Sequence, residues 1–187
     1  SSLQQLNYPK EKLELIMVDN GSKDGSIGLM RKKFPEVRIL KNSENNYCKA
    51  NNLGIKKAKG EFVALLNNDT WVDKNWLIEL VKVIQKSKKI AGVGSKILLE
   101  DGRICNVGTY NKGNFLWWGK GFKEKNKGQY DKVFDAEALC HAAALYRKKT
   151  IEKAGLLDED FEMYHEDGEL GFTLRKRGGK LKISGNS

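Results

Sequence analysis

The chain repeatedly runs apolar for about half a dozen residues and then stops at a polar turn. Phe62-Val63-Ala64-Leu65-Leu66 follows Gly60 and ends in Asn67-Asn68-Asp69-Thr70. Leu13-Glu14-Leu15-Ile16-Met17-Val18 ends in Asp19-Asn20-Gly21-Ser22-Lys23-Asp24-Gly25-Ser26. Short apolar runs bounded by turn residues predict buried strands of a largely parallel sheet. Between them the period lengthens. Ile27, Met30 and Phe34 share one helical face, residues 48–58 read as a second helix, and Trp76, Leu77, Leu80, Val81 and Ile84 mark a longer amphipathic one. Further strands are predicted over 37–40, 91–99 and 181–183, and helices over 149–154 and from near Asp167. Leu3 to Leu6 reads as the end of a helix broken at Tyr8-Pro9. Residues 101–135 are rich in glycine and aromatics without a sustained period, which predicts an insertion or flap in a single α/β domain.

Open α/β sheets bind ligands just beyond the carboxyl ends of their strands. Asp19 and Asp69 stand at two such ends. A hard oxygen ligand there can hold Mg²⁺ or Mn²⁺ beside a phosphate. Asn-Asp-Thr at 68–70 equally suits a turn that caps a helix beginning near Lys74. Asp24 and Ser26 suit helix capping, whereas a turn separates Asp19 from the helix it would cap. Glu166-Asp167 precedes a helix whose inner face carries Leu170 and Leu174. Carboxylates at a helix start are favoured as anions, and an anionic carboxylate near a hydroxyl can take its proton. Alone the pair is an ordinary acidic helix start; with Asp19 and Asp69 it reads as catalytic.

These motifs resemble those of family 2 glycosyltransferases. The resemblance rests on Val18-Asp19-Asn20-Gly21-Ser22 with Asp24-Gly25-Ser26, Ala50-Asn51-Asn52-Leu53-Gly54-Ile55, Gly60-Glu61-Phe62, Leu65 to Thr70, Gly155 to Phe161, and Tyr164 to Leu170. Order and spacing match over nearly the whole chain. The resemblance implies a single GT-A-like (Rossmann-like) α/β domain, with a mostly parallel central sheet flanked by helices. Residues 1–100 would form the nucleotide-sugar half and 101–187 the flap and acceptor half. It further implies inverting transfer of a sugar from a UDP- or dTDP-sugar to the hydroxyl of a glycan or lipid-linked acceptor, as in polysaccharide biosynthesis. Asp167 would be the base and Glu166 would position the acceptor or a nearby stretch of backbone. Asp19, Asn20, Asn51, Asn52 and Asn68 would contact the nucleotide, and Asp69 would bind a divalent cation, Mg²⁺ or Mn²⁺. Asn51 and Asn52 equally suit capping of their helix. Asn67 stands where the family usually has a second acidic residue, so metal affinity is expected to be lower.

In the family another strand precedes the first helix, and a histidine beyond the last strand joins the metal site. This chain begins inside that helix and stops at Ser187 without that histidine, so a domain truncated at both ends, with two open strand edges, is expected. The competing expectation is a catalytically impaired nucleotide- or sugar-binding fragment. A nucleotidyltransferase is disfavoured because no Gly-rich, Arg/Lys-containing phosphate loop follows a strand. His141 lies near where the family places a small-residue turn against the donor sugar, Trp117-Trp118 suit stacking on a sugar ring, and His165 adjoins the acidic pair.

Composition narrows the partners. With 187 residues, 40% hydrophobic and 31% charged, the chain is long enough for one substantial core and reads as a globular protein. No apolar run approaches the ~20 residues that span a bilayer, and no signal peptide opens the chain. Lys and Arg number 34 against 24 Asp and Glu, a formal net charge of +10. The lysines are scattered without interleaved aromatics, which argues against nucleic acid and leaves attraction to an anionic membrane surface carrying a lipid-linked acceptor. Cys48, Cys105 and Cys140 match no zinc spacing and read as reduced thiols of a cytoplasmic protein, at the inner face of the membrane where its acceptor is lipid-linked.

Overall fold

The computed structural model describes residues 2–114 and 116–187. Two short 3₁₀ turns, Ser2–Gln5 and Lys10–Lys12, open the chain. Strand β1 (Ile16–Asp19) is followed by helix α1 (Ser26–Lys33), β2 (Arg38–Lys41), α2 (Tyr47–Lys57), β3 (Phe62–Leu66), α3 (Trp76–Ile84) and β4 (Ile90–Ser95). The expected strand-helix alternation therefore holds through the first half.

The segment expected to be an irregular flap contains four short strands and part of two ladders. β5 (Ile97–Leu98) pairs antiparallel with β6 (Ile104–Asn106), and β7 (Thr109–Asn111) with β8 (Trp117–Gly119). β9 (Val133–Ala136) instead joins the main sheet. Strands of two to four residues are too short for an alternating pattern to register, which is why they read as aperiodic. The chain closes with β10 (Ala143–Arg147), α4 (Lys148–Ala154), a 3₁₀ turn (Glu159–Phe161), α5 (Glu166–Lys176) and β11 (Lys180–Ser184).

The main sheet has the order β3-β10-β4-β11-β9. It is mixed, which corrects the expectation of a mostly parallel sheet. β4 and β11 pair parallel, but β10 runs antiparallel to both β3 and β4, and β9 antiparallel to β11. β9 and β10 are reached from the short-strand segment without a crossover helix, and only such a crossover returns a strand parallel to its neighbour. β1 and β2 form a separate parallel pair. Among the described residues β1 pairs only with β2 and β3 only with β10, leaving one open edge on each.

Apolar side chains alternate across the main sheet into two cores. Val93, Ala143 and Leu145 face Trp76, Leu77, Leu80 and Ile84 of α3, with Leu6 beneath them. Ala91, Ala144, Tyr146, Leu181 and Ile183 face the other way, against Ile55 of α2, Ile151 of α4, and Leu170 and Leu174 of α5. The face predicted on α1 is present but shallow. Ile27, Met30 and Phe34 are half-buried and no residue of the helix is fully buried.

Candidate active site

The start of α2 links the strand ends to the acidic pair. The carbonyl of Asp19, at the end of β1, accepts from the Asn42 N–H at 2.8 Å. Asn20 Oδ1 accepts from Asn42 Nδ2 at 2.8 Å and from the Asn46 N–H at 3.2 Å, while its Nδ2 donates to Asn45 Oδ1. Asn46 caps α2 by accepting from the Lys49 N–H at 2.8 Å and reaches the Glu159 carbonyl with its Nδ2. The next residue, Tyr47, donates its hydroxyl to Asn67 Oδ1 at 3.2 Å, and the Asn67 N–H donates to the Ala142 carbonyl at 3.1 Å. Ala142 adjoins His141, whose Nδ1 lies 3.4 Å from Glu166 Oε1. A continuous polar path thus runs from the end of β1, past the end of β3, to the start of α5.

Asp19 is buried, and one carboxylate oxygen accepts from the Ser22 N–H at 2.9 Å. The Ser22 backbone and side-chain groups hold its carboxyl below the usual range, so it is an anion. Asn68 and Asp69 are exposed on the turn after β3, and the Asp69 carboxylate pairs with no described residue. This turn does not cap α3: the helix begins six residues later, after Asn75, and Asp73 accepts from the Asn75 N–H. The capping half of the alternative reading is thereby removed, while the turn itself is present, closed by the Thr70 N–H donating to the Asn67 carbonyl at 3.2 Å.

Asn51 and Asn52 do not cap α2 either; Asn46 does. Asn51 donates back to the Tyr47 carbonyl at 2.9 Å. Asn52 is buried and tied on both sides, accepting from the Leu157 N–H at 3.0 Å and donating to the Leu157 carbonyl at 2.8 Å and to Glu159. Its amide clips α2 to the loop before the last 3₁₀ turn.

Glu166 and Asp167 open α5, as expected, after a backbone held under strain. Glu162, Tyr164 and His165 all have positive φ, at 53°, 71° and 69°. Non-glycine residues in that region cost of order 1 kcal/mol each and concentrate at functional sites. Glu166 is buried; burial opposes its ionisation, but the adjacent His141 outweighs it and holds the carboxyl below its usual value. For Asp167 burial dominates, reinforced by the charge of Glu166, and its carboxyl is pushed up. Two neighbouring carboxyls are thus driven apart, the pattern that separates a fixed anion from a proton acceptor. Tyr47 stays a neutral donor, pushed up by burial and by Glu166.

His141 does not stand where a donor sugar would touch it. It is 3% exposed and lies between Glu166 and Tyr146. Trp118 is exposed beneath Lys112, whose ammonium sits 4.4 Å from the ring centre, while Trp117 packs on Gly168. The asparagine cluster at 42, 45 and 46 was missed by sequence reasoning. Its only signal is the run Asn42-Ser43-Glu44-Asn45-Asn46 before a helical period, a plain N-cap signature.

Among the described residues no three His, Cys, Asp or Glu side chains gather as a ligand set. A protein-built metal cage is therefore not what these residues fit. Exposed Asp69 instead fits a cation whose other ligands are phosphate oxygens and water, the usual arrangement for Mg²⁺. Cys48, Cys105 and Cys140 are free; burial pushes Cys48 up to about 12 and Cys140 up to about 11, so both remain thiols. Among the described residues no helix is long and apolar enough to cross a membrane.

Comparison with known proteins finds relatives over almost the whole chain. The chain is 29% identical over 189 residues to the O-antigen biosynthesis protein RfbC of Myxococcus xanthus, an alignment covering 95% of this chain and 14% of that protein. It is 25% identical over 197 residues to a Methanococcus voltae dolichyl N-acetyl-alpha-D-glucosaminyl phosphate 3-beta-D-2,3-diacetamido-2,3-dideoxy-beta-D-glucuronosyltransferase, covering 96% of this chain and 57% of that protein. The chain thus spans only part of each relative. Among solved structures, GalNAc-T7 with UDP, GalNAc and Mn²⁺ superposes with a TM-score of 0.76 at 18% identity, over 97% of this chain and 38% of that one. Staphylococcus aureus TarS follows at 0.73 and 16%, over 100% of this chain and 32% of that one. The fold is that of the GT-A glycosyltransferases. The sequence model of glycosyl transferase family 2 matches residues 1–155, and the chain belongs to that family.

Proposed function

We propose that the chain carries the donor and catalytic site of an inverting glycosyltransferase that moves a sugar from a UDP- or dTDP-sugar to the hydroxyl of a glycan or lipid-linked acceptor in polysaccharide assembly. The observation that carries this reading is geometric: Glu166 and Asp167 open α5, Glu166 Oε1 lies 3.4 Å from His141 Nδ1, and the adjoining Ala142 is tied through Asn67, at the end of β3, to Tyr47. Burial pushes the Asp167 carboxyl up while His141 holds that of Glu166 down. Residues 1–100 supply the donor half. Asp19 accepts hydrogen bonds from the nucleobase or ribose, with Asn20, Asn51 and Asn68 beside it. Residues 101–187 supply the acceptor half and the base.

Asp167, a carboxylate with a raised proton affinity, takes the acceptor hydroxyl proton. The oxygen then forms its bond to the anomeric carbon as the bond from that carbon to the diphosphate oxygen breaks, and the diphosphate leaves with the electron pair. Attack opposite the leaving group inverts the centre. Asp69 would hold a divalent cation together with the donor's own phosphates, and the cation supplies charge neutralisation for the leaving diphosphate. Glu166 stays anionic and orients the start of α5.

A second reading, a nucleotide- or sugar-binding domain with impaired catalysis, is favoured by one observation: Asn67 stands beside Asp69 as a neutral amide already engaged by Tyr47. Calorimetric titration with UDP and dTDP, with and without Mn²⁺, tests the donor site. Metal-dependent binding that vanishes in Asp69→Ala is expected, and a folded protein that binds neither nucleotide would sink the donor assignment. Turnover of a UDP- or dTDP-sugar panel separates the transferase from the binding domain.

A further inference from the structure

Tyr146, on β10, is fully buried and points into the core against Gly92 of β4. A Cβ at Gly92 would stand 2.6 Å from the Tyr146 ring, so the bare backbone there makes the room that ring occupies. The Tyr146 hydroxyl lies 3.1 Å from His141 Nε2, with the two rings edge to face at 5.8 Å. No other partner of that hydroxyl exists among the described residues. The opposite ring nitrogen, Nδ1, is buried without a formed hydrogen bond and lies 3.4 Å from Glu166 Oε1.

The chemistry fixes where the imidazole proton sits. With a carboxylate facing Nδ1, that nitrogen carries hydrogen in both the neutral and the cationic imidazole. In the neutral ring Nε2 is then the acceptor for the Tyr146 hydroxyl. Glu166 is 6% exposed, and its second oxygen, Oε2, is buried without any partner. An uncompensated buried carboxylate costs several kcal/mol, so such a group persists only with a counter-group that repays part of the penalty or with a role that requires it. His141 is that counter-group. Glu166 is also the first residue of α5, and the residue that follows it is Asp167.

We propose that His141 is a positioning residue: braced by Tyr146, its imidazole anchors Glu166 to the floor of the site and so sets the direction in which Asp167 meets the acceptor hydroxyl. The role rests on the reading of Asp167 as the base. His141 touches neither donor nor acceptor. It acts at one remove, on the registration of the first turn of α5 against β10.

The test uses the 187-residue chain, His141→Phe, which keeps a ring but no N–H, and His141→Asn, whose amide N–H replaces that of Nδ1. With the donor from the UDP- and dTDP-sugar panel that wild type consumes, His141→Phe should lower kcat about 10- to 100-fold, with the donor KM within about twofold. His141→Asn should recover most of that loss. An unchanged kcat in folded His141→Phe, or a loss confined to donor KM, overturns the proposal.

A second readout does not depend on turnover. The chain has two histidines, so the His141 imidazole N–H is assignable by NMR once His165→Ala removes the other. A slowly exchanging downfield N–H that moves upfield in Glu166→Gln is expected, because a charged acceptor makes the stronger hydrogen bond. An N–H that does not respond to Glu166→Gln overturns the anchor. If wild type consumes no donor of the panel, the transferase reading fails, and the anchor is still decided by this resonance.

Discussion

The indole of Trp117 lies against Gly168 so closely that a Cβ on Gly168 would meet the ring at 2.4–2.5 Å. Trp117 belongs to β8 in the short-strand segment and Gly168 to the first turn of α5, one residue after Asp167. The flap is thereby fastened to the turn that carries Asp167, the proposed base. Gly168→Ala sets two effects against each other. Helix propensity favours alanine by about 1 kcal/mol, while forcing the ring aside costs about 1–3 kcal/mol. Net destabilisation is expected in the native background and net stabilisation in Trp117→Ala, where the clash is gone. A double-mutant cycle on denaturation midpoints measures the coupling. Additive effects would show that the ring does not rest on Gly168 in solution.

Asn67 accepts from Tyr47 and precedes Asp69 by two residues on the turn after β3. A carboxylate at 67 would add a charged oxygen next to the proposed cation position, and ligand charge sets affinity at such sites. Asn67→Asp should tighten Mn²⁺-dependent nucleotide binding about 3- to 10-fold while leaving metal-free binding unchanged. Titration calorimetry at fixed Mn²⁺ measures it. Unchanged binding would place the cation away from this turn.

Asn52 and Leu157 exchange two hydrogen bonds across 105 residues of chain. Asn52→Ala leaves the Leu157 N–H and carbonyl buried and unpaired, which costs about 3 kcal/mol, or roughly 6–12 °C in melting midpoint. UDP affinity measured well below the midpoint should stay within about twofold, since a clip and not a nucleotide ligand has been removed. A large affinity loss in the folded variant would restore Asn52 to the donor site.

What the sequence carried is clearest at α3. The helically spaced apolar residues of α3 are buried as their spacing predicts, whereas β3 forms where expected but as an edge strand, with only Leu65 buried and Ala64 exposed. Asp69 and Glu166-Asp167 fell at element ends as expected. Harder to read were positions whose role depends on residues far away. Asn52 read as a nucleotide contact or a helix cap because Leu157 is invisible from 52. His141 sits in a run of small residues, and only the pairing of β10 with β4 brings Gly92 under Tyr146 and so holds the imidazole against Glu166. Strand direction was obscured for a similar reason. Apolar runs of five residues look alike in parallel and antiparallel neighbours, and only the missing crossover helix distinguishes β10.

If Asp167 is the base, as proposed, its ionisation links stability to catalysis with a definite sign. Burial, with the charge of Glu166, raises its folded proton affinity above that of the unfolded chain. Between the ordinary carboxyl value and the raised one, the folded state binds more protons than the unfolded state. Stability contributed by this group is therefore full at low pH and is lost as pH rises through that window. Asp167→Asn removes the ionisation while keeping an oxygen for the Gly168 N–H, which now donates to Asp167 Oδ1 at 2.7 Å. The variant should melt above wild type at pH 7, with the gap closing as pH falls toward the ordinary carboxyl value. Transfer should drop about 10²- to 10⁴-fold while UDP binding holds, because a base has been removed and not a donor contact. In wild type kcat/KM should fall on the acid side with an apparent midpoint above the usual carboxyl range. A variant less stable than wild type at neutral pH would mean that the charge of Asp167 is compensated in solution. An acid limb at the ordinary value would carry the same meaning, whereas transfer that survives Asp167→Asn would mean that the base is another group.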